Sequence, residues 1–335
     1  MIDKRKWLEQ IRVDRTRTMP ILTFPAIQPL GVSVRELVTT PGLQARAMKY
    51  LADRYPTSAA LSMMDLSVEA EAFGASIRYF DMDIPTVVGS IVNSAQDALR
   101  LPVPAVGAGR TGKYIEGVGL AKAMINDRPV FAGVIGPFSL SARLMDMTEI
   151  MISCYLDPEI VHTTIAKAAQ FIENYILAFK KAGADGIIIA EPAAGLLSPQ
   201  LCEEFSSHYI RHIREAVVDD GFVIIYHNCG NTVPLLPSIL GIGADAYHFG
   251  NAVDMETILD NMPPDIIVMG NLSPSDVFRK STPEMVRKET TTLLERCVHH
   301  RNFCISSGCD IPPLTRLENI DAYFDAVSHF AFDHR

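Results

Sequence analysis

The segment Phe222-Val223-Ile224-Ile225-Tyr226-His227-Asn228-Cys229 decides the fold of this 335-residue chain. Five apolar residues, three of them β-branched, lead directly into polar ones, a pattern that indicates a short buried strand. Residues two apart on a strand point to the same side. His227 and Cys229 can therefore offer an imidazole and a thiol to the same metal ion.

Other short apolar runs, ending in Gly, Pro, Asn or Asp, alternate along the chain with longer segments of helical period. Such alternation is typical of repeated βα units around a parallel sheet. Eight runs predict strands: residues 21–24, 59–64, 130–135, 186–190, 222–226, 246–249, 266–269 and 303–306. Eight strands predict an α/β fold of the single (β/α)8 (TIM) barrel type.

The segments between these strands predict helices at residues 161–182, 199–218, 254–261 and 283–301, and Gly183 is expected to end the first. Residues 65–128 are too long for a simple loop and helix, so we interpret them as an elaboration over the C-terminal mouth of the barrel. The chain contains no internal repeat and no low-complexity linker. We therefore expect one domain over residues 1–335.

Composition excludes several classes of function. The net charge of -9 and the pI near 5.5, with no Lys/Arg cluster, argue against a nucleic-acid partner. Residues 1–17 are charged and lack the apolar core of a secretory signal, and no later segment has 18 uninterrupted apolar residues, so we expect a cytoplasmic protein with no membrane span. Six scattered cysteines do not form a disulfide framework, which favours reduced thiols.

The active sites of such barrels lie at the C-terminal ends of the strands. That rule selects a third soft ligand, Cys309, which follows the eighth predicted strand in Ser306-Ser307-Gly308-Cys309-Asp310. Zinc favours such a nitrogen and sulfur set, and three protein ligands would leave one position open for a substrate. Cys304 competes as the third ligand, but it lies inside the predicted strand.

Four more polar residues are candidates for the site: Asp65, Glu191 and Asn271, which follow predicted strands, and His248, which lies near the end of the sixth. Each has an ordinary structural interpretation beside the functional one. An aspartate often caps a helix, a histidine can be a satisfied core residue, and an asparagine suits a turn.

The segments around Met63-Met64-Asp65 and Gly270-Asn271-Leu272-Ser273-Pro274 resemble the uroporphyrinogen decarboxylase superfamily, and the resemblance covers nearly the whole chain. Within it, His227-x-Cys229-Gly230 together with Ser307-Gly308-Cys309-Asp310-Ile311-Pro312 is similar to the zinc-dependent corrinoid:thiol methyltransferase branch, which includes methylcobalamin:coenzyme M methyltransferases. The resemblance implies His227, Cys229 and Cys309 as zinc ligands.

The chain departs from the decarboxylases where those enzymes recognise their substrate. Their arginine-rich N-terminal segment corresponds here to Met19-Pro20-Ile21-Leu22-Thr23-Phe24-Pro25-Ala26, which contains no arginine. Asp65 matches their pyrrole-binding aspartate, and we expect it to act in catalysis and in holding the corrinoid. Glu191 is the second expected catalytic residue, either as a fourth zinc ligand or as a hydrogen-bond partner. His248 and Asn271 are expected near the corrinoid.

The resemblance implies a zinc-dependent methyltransferase that moves a methyl group from methylcobalamin to a small thiol such as coenzyme M. Because the chain has no D-x-H-x-x-G corrinoid-binding signature, we expect the donor on a separate, transiently bound corrinoid protein. Homocysteine or a folate-type acceptor stays open. Two other hypotheses remain at this point: a metal-independent decarboxylase of a porphyrinogen, and a non-catalytic corrinoid or tetrapyrrole binding protein.

Overall fold

Seven strands form one parallel sheet in the computed structural model of the protein, which describes residues 2–14 and 16–333. The nine strands of the described residues are β1 (Ala60–Leu61), β2 (Ser76–Arg78), β3 (Thr86–Val88), β4 (Val130–Ile135), β5 (Gly186–Ala190), β6 (Val223–Asn228), β7 (Ala246–Phe249), β8 (Ile267–Leu272) and β9 (Phe303–Ser307). The sheet order is β1-β4-β5-β6-β7-β8-β9, and β2 and β3 form a separate antiparallel hairpin. Seven of the eight predicted strands are thereby confirmed, three of them (β4, β5 and β7) with the predicted ends and four with shifted ends.

An extended segment, residues 18–23, lies between the two edge strands of the curled sheet. Thr18 forms a single parallel bridge with Ile305 of β9. On its other side, the backbone N–H of Ser58 donates to Thr18 O at 2.9 Å, and Thr23 Oγ1 donates to Leu61 O of β1 at 2.8 Å. The segment therefore links the first strand of the sheet to the last.

The predicted strand at residues 21–24 is wrong, because none of these four residues belongs to a strand. The one β-bridge of the extended segment 18–23 is at Thr18. Pro20 and Pro25 flank it, and proline has no N–H to donate to a strand ladder. The chain then turns at once into the 3-10 helix Phe24–Ala26. The α/β fold is confirmed, but the parallel sheet of the described residues contains seven strands, and an irregular segment stands where the eighth was predicted.

Helices follow the strands as the alternating pattern predicts. The α-helices of the described residues are α1 (Lys4–Val13), α2 (Ile27–Leu30), α3 (Val34–Thr39), α4 (Pro41–Arg54), α5 (Val68–Ala72), α6 (Ala95–Arg100), α7 (Thr111–Met124), α8 (Pro137–Met145), α9 (Met147–Leu156), α10 (Pro158–Lys181), α11 (Pro199–Cys202), α12 (His208–Val217), α13 (Leu236–Leu240), α14 (Met255–Asn261), α15 (Pro283–Cys297) and α16 (Leu317–Asp333). Shorter helical turns are Phe24–Ala26, Pro192–Leu196, Glu203–Ser207, Val233–Leu235 and Pro274–Arg279. In the described part of the chain, no helix combines the length and the apolar character that crossing a bilayer requires.

The helix α10 illustrates how the sequence fixes these elements. Pro158 occupies its first turn, where the missing N–H costs no hydrogen bond. Buried residues recur at helical spacing along one face, from Val161 to Phe179. The helix ends as predicted just before Gly183, whose φ of +103° suits glycine.

The sheet separates two apolar layers. The inner layer lies within the curl and includes Phe131, Ile188, Val223, Ile225, Ile267, Met269 and Cys304. Helix α1 closes the end of the curl where the strands begin: Trp7 meets the ring of Phe131 edge-on with centroids 5.1 Å apart, and its Nε1 donates to Ser58 O at 2.9 Å. The opposite end, where the strands finish, carries the polar residues.

Candidate metal centre and its cavity

His227, Cys229 and Cys309 come together where the strands end. One ligand atom from each, an imidazole nitrogen and two Sγ atoms, lies within 4.8 Å of the other two. His227 belongs to β6, Cys229 follows that strand directly, and Cys309 lies just beyond β9. Strands β7 and β8 separate β6 from β9 in the sheet, so the curl of the sheet is what brings the two thiols together.

The imidazole of His227 is oriented by a chain of hydrogen bonds inside the curl. Ser306 Oγ donates its one proton to Met19 O at 2.7 Å, so the hydroxyl must accept from His248 Nε2, 2.8 Å away. Burial, and then the neighbouring His227, lower the pKa of His248 well below its ordinary value, so this ring is neutral. Its Nδ1 is then an acceptor, and His227 Nδ1 donates to it at 2.8 Å.

The other ring nitrogen of His227 is left as a lone pair aimed at the thiols. Nε2 is buried and has no hydrogen-bond partner among the described residues. A buried acceptor without a partner is costly unless something binds it. A nitrogen of this tautomer beside two thiols is the donor set that zinc prefers, so the residues present fit a zinc ion.

The two thiols differ in acidity. A hydrogen bond from Cys309 lowers the pKa of Cys229 against the opposing effect of burial. The same hydrogen bond and burial raise the pKa of Cys309. The pair therefore holds one thiolate readily, before any cation is considered.

Asn271 and Gly250 shape the loop that packs against Cys229. Asn271 Nδ2 donates to Gly250 O at 3.0 Å and to Val253 O at 2.8 Å. A Cβ atom at Gly250 would lie 2.4 Å from the Cα of Cys229, so only glycine allows this approach. The structure thus places Asn271 as a support for the loop behind Cys229, while His248 supports His227.

The cluster forms part of the wall of a cavity of about 340 Å³. Apolar side chains make up much of the remaining wall, among them Ile21, Met64, Leu66, Ile84 and Val87. Residues 83–87, which lead into and form most of β3, belong to the predicted elaboration at residues 65–128, whose other described elements are α5, β2, α6 and α7. A partly apolar cavity with such a cluster of side chains in its wall is suited to a small substrate.

Asp65, one of the predicted site residues, does not line this cavity. Its carboxylate forms a buried ion pair with Arg110 and accepts from Tyr114 Oη at 3.0 Å and from Ser67 Oγ at 2.6 Å. Arg110 is also paired with Glu71. These contacts fully occupy the Asp65 carboxylate and tie it to the start of α7.

Two other carboxyl groups near the cluster are less fully occupied. Glu191 accepts from the backbone N–H of Ser139, its second oxygen has no hydrogen-bond partner, and burial raises its pKa to about 7. It lies beside β6, with its own N–H donating to His227 O at 2.9 Å, but outside the three-residue cluster. Asp310 lines the cavity, and burial raises its pKa well above the ordinary value.

Asp310 follows the eighth predicted strand beside Cys309 but was not among the predicted site residues, and neither was Arg143, which also lines the cavity. A signal existed for Arg143, because it is the one Lys or Arg within residues 129–166. Cys304, the competing ligand, lies in the inner core with Sγ 3.7 Å from Arg17 O, and burial raises its pKa to about 12. The choice of Cys309 over Cys304 therefore agrees with the geometry.

Comparison with known proteins gives matches over most of the chain. The family model described as Uroporphyrinogen decarboxylase (URO-D) matches residues 8–330. The methylcobamide:CoM methyltransferase MtbA of Methanosarcina acetivorans is 27% identical over 272 residues, which cover 80% of this chain and 78% of that protein. A uroporphyrinogen decarboxylase of Coxiella burnetii is 26% identical over 313 residues, covering 87% of this chain and 82% of that protein. A solved structure named as a methyltransferase from Methanosarcina mazei has the same fold, with a TM-score of 0.85 at 22% identity over 98% of this chain and 99% of that one.

Proposed function

We propose that this chain, which belongs to the uroporphyrinogen decarboxylase family, is a methyltransferase that moves a methyl group from a methylated corrinoid to a small thiol such as coenzyme M. The observation that carries the proposal is the buried, partnerless Nε2 of His227 beside the thiols of Cys229 and Cys309. The relative named as a methylcobamide:CoM methyltransferase supports the choice of donor and acceptor.

His227, Cys229 and Cys309 would hold a zinc ion. When bound, zinc would lower the pKa of an incoming thiol, so that the acceptor is a thiolate near neutral pH. Three protein ligands leave one position for that thiol. Two thiolates and a neutral imidazole nearly cancel the charge of the cation, which keeps an added sulfur electron-rich.

The overall reaction balances without any further reactant. The sulfur of the thiolate forms a bond to the methyl carbon, the carbon–cobalt bond breaks, and its electron pair returns to cobalt, which changes from cobalt(III) to cobalt(I). The proton of the thiol leaves to solvent. The apolar wall of the cavity keeps water away from the nucleophile, and the His248–Ser306 pair keeps the proton of His227 on the side away from the thiols.

The surroundings of the cavity suggest how the donor arrives. We place the methyl donor on a separate corrinoid protein that docks transiently at the strand ends. Residues 65–128 would cover this end of the barrel, and the whole chain would form one domain. Residues 18–23 would serve as the eighth element of that barrel. We place the reaction in the cytoplasm, because all six cysteines are free thiols, as is usual in a reducing compartment.

The position of Asp65 bears on the decarboxylase alternative. That hypothesis needs the Asp65 carboxylate free to meet a tetrapyrrole, whereas Arg110, Tyr114 and Ser67 occupy it and Asp65 does not line the cavity. The buried ligand cluster, by contrast, has no place in a metal-independent decarboxylation. These two observations favour the methyltransferase.

Zinc content and methyl transfer test the proposed function directly. We expect about one zinc ion per purified wild-type chain, and loss of most of it in His227→Ala and Cys309→Ala, because each variant removes one of three ligands. Transfer from methylcobalamin to coenzyme M should be abolished in both variants. Elemental analysis and a methylcobalamin absorbance assay provide the two measurements.

Cys304→Ala is the matched control, because it removes a buried thiol that lies outside the ligand cluster. It should retain zinc and transfer activity at a lower stability. Circular dichroism of every variant separates lost metal from lost fold. A wild-type protein without zinc after reconstitution, or a fully active Cys309→Ala variant, would contradict the proposed site.

A further inference from the structure

The guanidinium of Arg143 lies on the cavity wall without an ionic partner. Among the residues that the structure describes, it takes part in no ion pair and no side-chain hydrogen bond, whereas Arg110 is paired with both Asp65 and Glu71. The pKa of Arg143 is lowered, and burial is the one cause. A cation held partly out of water without a counter-ion is costly, so such an arrangement points to an anionic ligand.

The location of Arg143 fixes where that anion must be. Arg143 belongs to α8, which begins directly after β4, and it borders the same cavity as Cys229 and Cys309. A ligand with sulfur at the cysteines and an acid group at Arg143 would therefore span one cavity of about 340 Å³. The apolar residues of the wall would contact the carbons between its two ends.

The two other charged side chains of the wall are acidic, and neither provides a counter-ion for Arg143. Asp83 is exposed on the segment before β3 and accepts from its neighbour Ile84 N at 2.8 Å. Asp310 follows Cys309 and so lies on the metal side of the cavity. Arg143 is the one arginine or lysine on this wall, and a guanidinium binds a carboxylate or sulfonate through two parallel hydrogen bonds.

We propose that Arg143 is a specificity-determining residue that binds the acid group of the acceptor, so that this enzyme selects thiols carrying a carboxylate or a sulfonate over neutral thiols. This inference rests on the proposed function for the identity of the acceptor site. The same anionic chemistry could come from a phosphate of the corrinoid donor, and the experiment separates the two sources.

The test compares 2-mercaptoethanesulfonate and 3-mercaptopropionate with the neutral 2-mercaptoethanol. Binding to the zinc-loaded protein is measured by calorimetry, and kcat/KM is measured with free methylcobalamin. For Arg143→Gln we expect the preference for the anionic thiols over 2-mercaptoethanol to fall roughly 10- to 100-fold, the range for one lost charged hydrogen-bond pair. Arg143→Lys keeps the charge but not the two parallel hydrogen bonds, so its preference for anionic thiols should lie between those of the wild type and Arg143→Gln.

Arg279→Gln is the matched control, because it removes the same charge from an exposed position outside the cavity wall. It should leave the preference among thiols at the wild-type value. An equal loss for all three thiols in Arg143→Gln would overturn the proposal. A rise in KM for methylcobalamin alone would also overturn it and would assign Arg143 to the donor.

A second measurement distinguishes failure of this inference from failure of the proposed function. Saturation-transfer NMR with 2-hydroxyethanesulfonate, which has no thiol, measures binding of the sulfonate group independently of zinc and of methyl transfer. Binding to the wild type that is lost in Arg143→Gln would support the anion site even if the wild type transfers no methyl group. No binding to the wild type would overturn the inference even if transfer to thiols is fast.

Discussion

Side chains that do not reach the cavity determine which ring nitrogen of His227 carries the lone pair. His248 accepts from Nδ1 of His227, and Ser306 accepts from His248, so three neighbouring or nearby strands together decide which nitrogen carries the proton. Partners of this kind fix the tautomer and the angle of a metal-binding histidine. The affinity of the cluster for a metal ion should therefore depend on residues behind it.

The substitution Ser306→Ala tests this dependence. Without the hydroxyl, His248 Nε2 loses its acceptor, and the tautomer that accepts from His227 is no longer favoured. We expect zinc affinity to fall by about 10- to 100-fold, while all three ligands remain in place. Competition with a chromophoric chelator measures the affinity.

Ser307→Ala is the matched control on the same strand. Ser307 Oγ accepts from Ile21 N at 3.0 Å and forms no side-chain hydrogen bond to His248 among the described residues. Its zinc affinity should stay within about threefold of the wild-type value. Equal zinc affinity in Ser306→Ala and the wild type would show that the Ser306 hydroxyl does not set the tautomer of His227.

At the scale of elements, the segment between β1 and β4 is fastened to the sheet by buried polar groups. Arg110, which precedes α7, pairs with Asp65 after β1 and with Glu71 in α5. The guanidinium also lies over the ring of Tyr79, 5.0 Å from its centroid, and Tyr79 follows β2. One arginine thus joins the helices α5 and α7 to the hairpin that borders the cavity.

Removing Arg110 should destabilise this segment strongly. Arg110→Gln would leave the Asp65 carboxylate buried without its cation, and breaking a buried pair from one side costs about 3–5 kcal/mol. We expect Asp65→Asn combined with Arg110→Gln to recover part of that loss, because no buried charge is then left unpaired. Urea unfolding of the two single variants and the double variant gives the coupling energy.

The exposed pair Arg287–Asp325 offers a matched comparison, since exposed pairs contribute only about 0–1 kcal/mol. Arg287→Gln should therefore change the free energy of unfolding little. The zinc content, stability and transfer activity of Asp65→Asn then distinguish a structural role of Asp65 from a catalytic one. A destabilised variant that keeps its zinc agrees with the structural role. A stable variant without transfer activity would support the catalytic role instead.

At the scale of the whole molecule, the sequence predicted those parts of the fold whose pattern is local. Seven strands, the long helix α10 and the end of that helix at Gly183 follow from apolar periodicity and from proline and glycine. The clustering of His227, Cys229 and Cys309 could be inferred because all three lie at or just beyond predicted strands that end at one edge. The irregular segment at residues 18–23 could not, because apolar content alone does not reveal which residues form a ladder.

The surroundings of the site were harder to predict, because they depend on contacts between distant segments. Asp65 follows a strand as the barrel rule requires, yet an arginine 45 residues later binds its carboxylate, and Asp65 does not line the cavity. Arg143 enters the cavity from a helix, and the rule considers only strand ends. The expected contact of His248 and Asn271 with a corrinoid stays a prediction, while the structure places His248 behind His227 and Asn271 behind the loop at Cys229.

The buried carboxyl group of Glu69 makes the stability of the molecule depend on pH. Glu69 accepts from Ile135 N at 3.0 Å, its second oxygen has no hydrogen-bond partner, and burial raises its pKa from 4.5 to about 7. The folded protein therefore keeps a proton that the unfolded chain releases above pH 4.5. The free energy of unfolding should fall as the pH rises from about 4.5 to about 7, and this contribution should change little above that.

Glu69→Gln should remove the contribution of this residue and so reduce the slope, while Glu191, whose pKa is also raised to about 7, keeps its own contribution. A pKa difference of this size corresponds to a loss on the order of 3 kcal/mol across the window, at about 1.4 kcal/mol for each pKa unit. Urea midpoints of the wild type and the variant at pH 5, 6, 7 and 8, taken as roughly even steps across the titration, provide the comparison. Parallel profiles for the two proteins would show that Glu69 is ionised when folded.

The closed end of the sheet has a practical consequence for spectroscopy. Trp7 is the one tryptophan of the chain, and it lies in helix α1 against Phe131, on the opposite side of the inner core from the cysteines. Intrinsic fluorescence excited at the indole band therefore reports on whether helix α1 stays packed against Phe131, and a small thiol that binds at the strand ends should leave this signal unchanged. Tryptophan fluorescence can therefore follow the unfolding of the protein without responding to thiol binding at the strand ends.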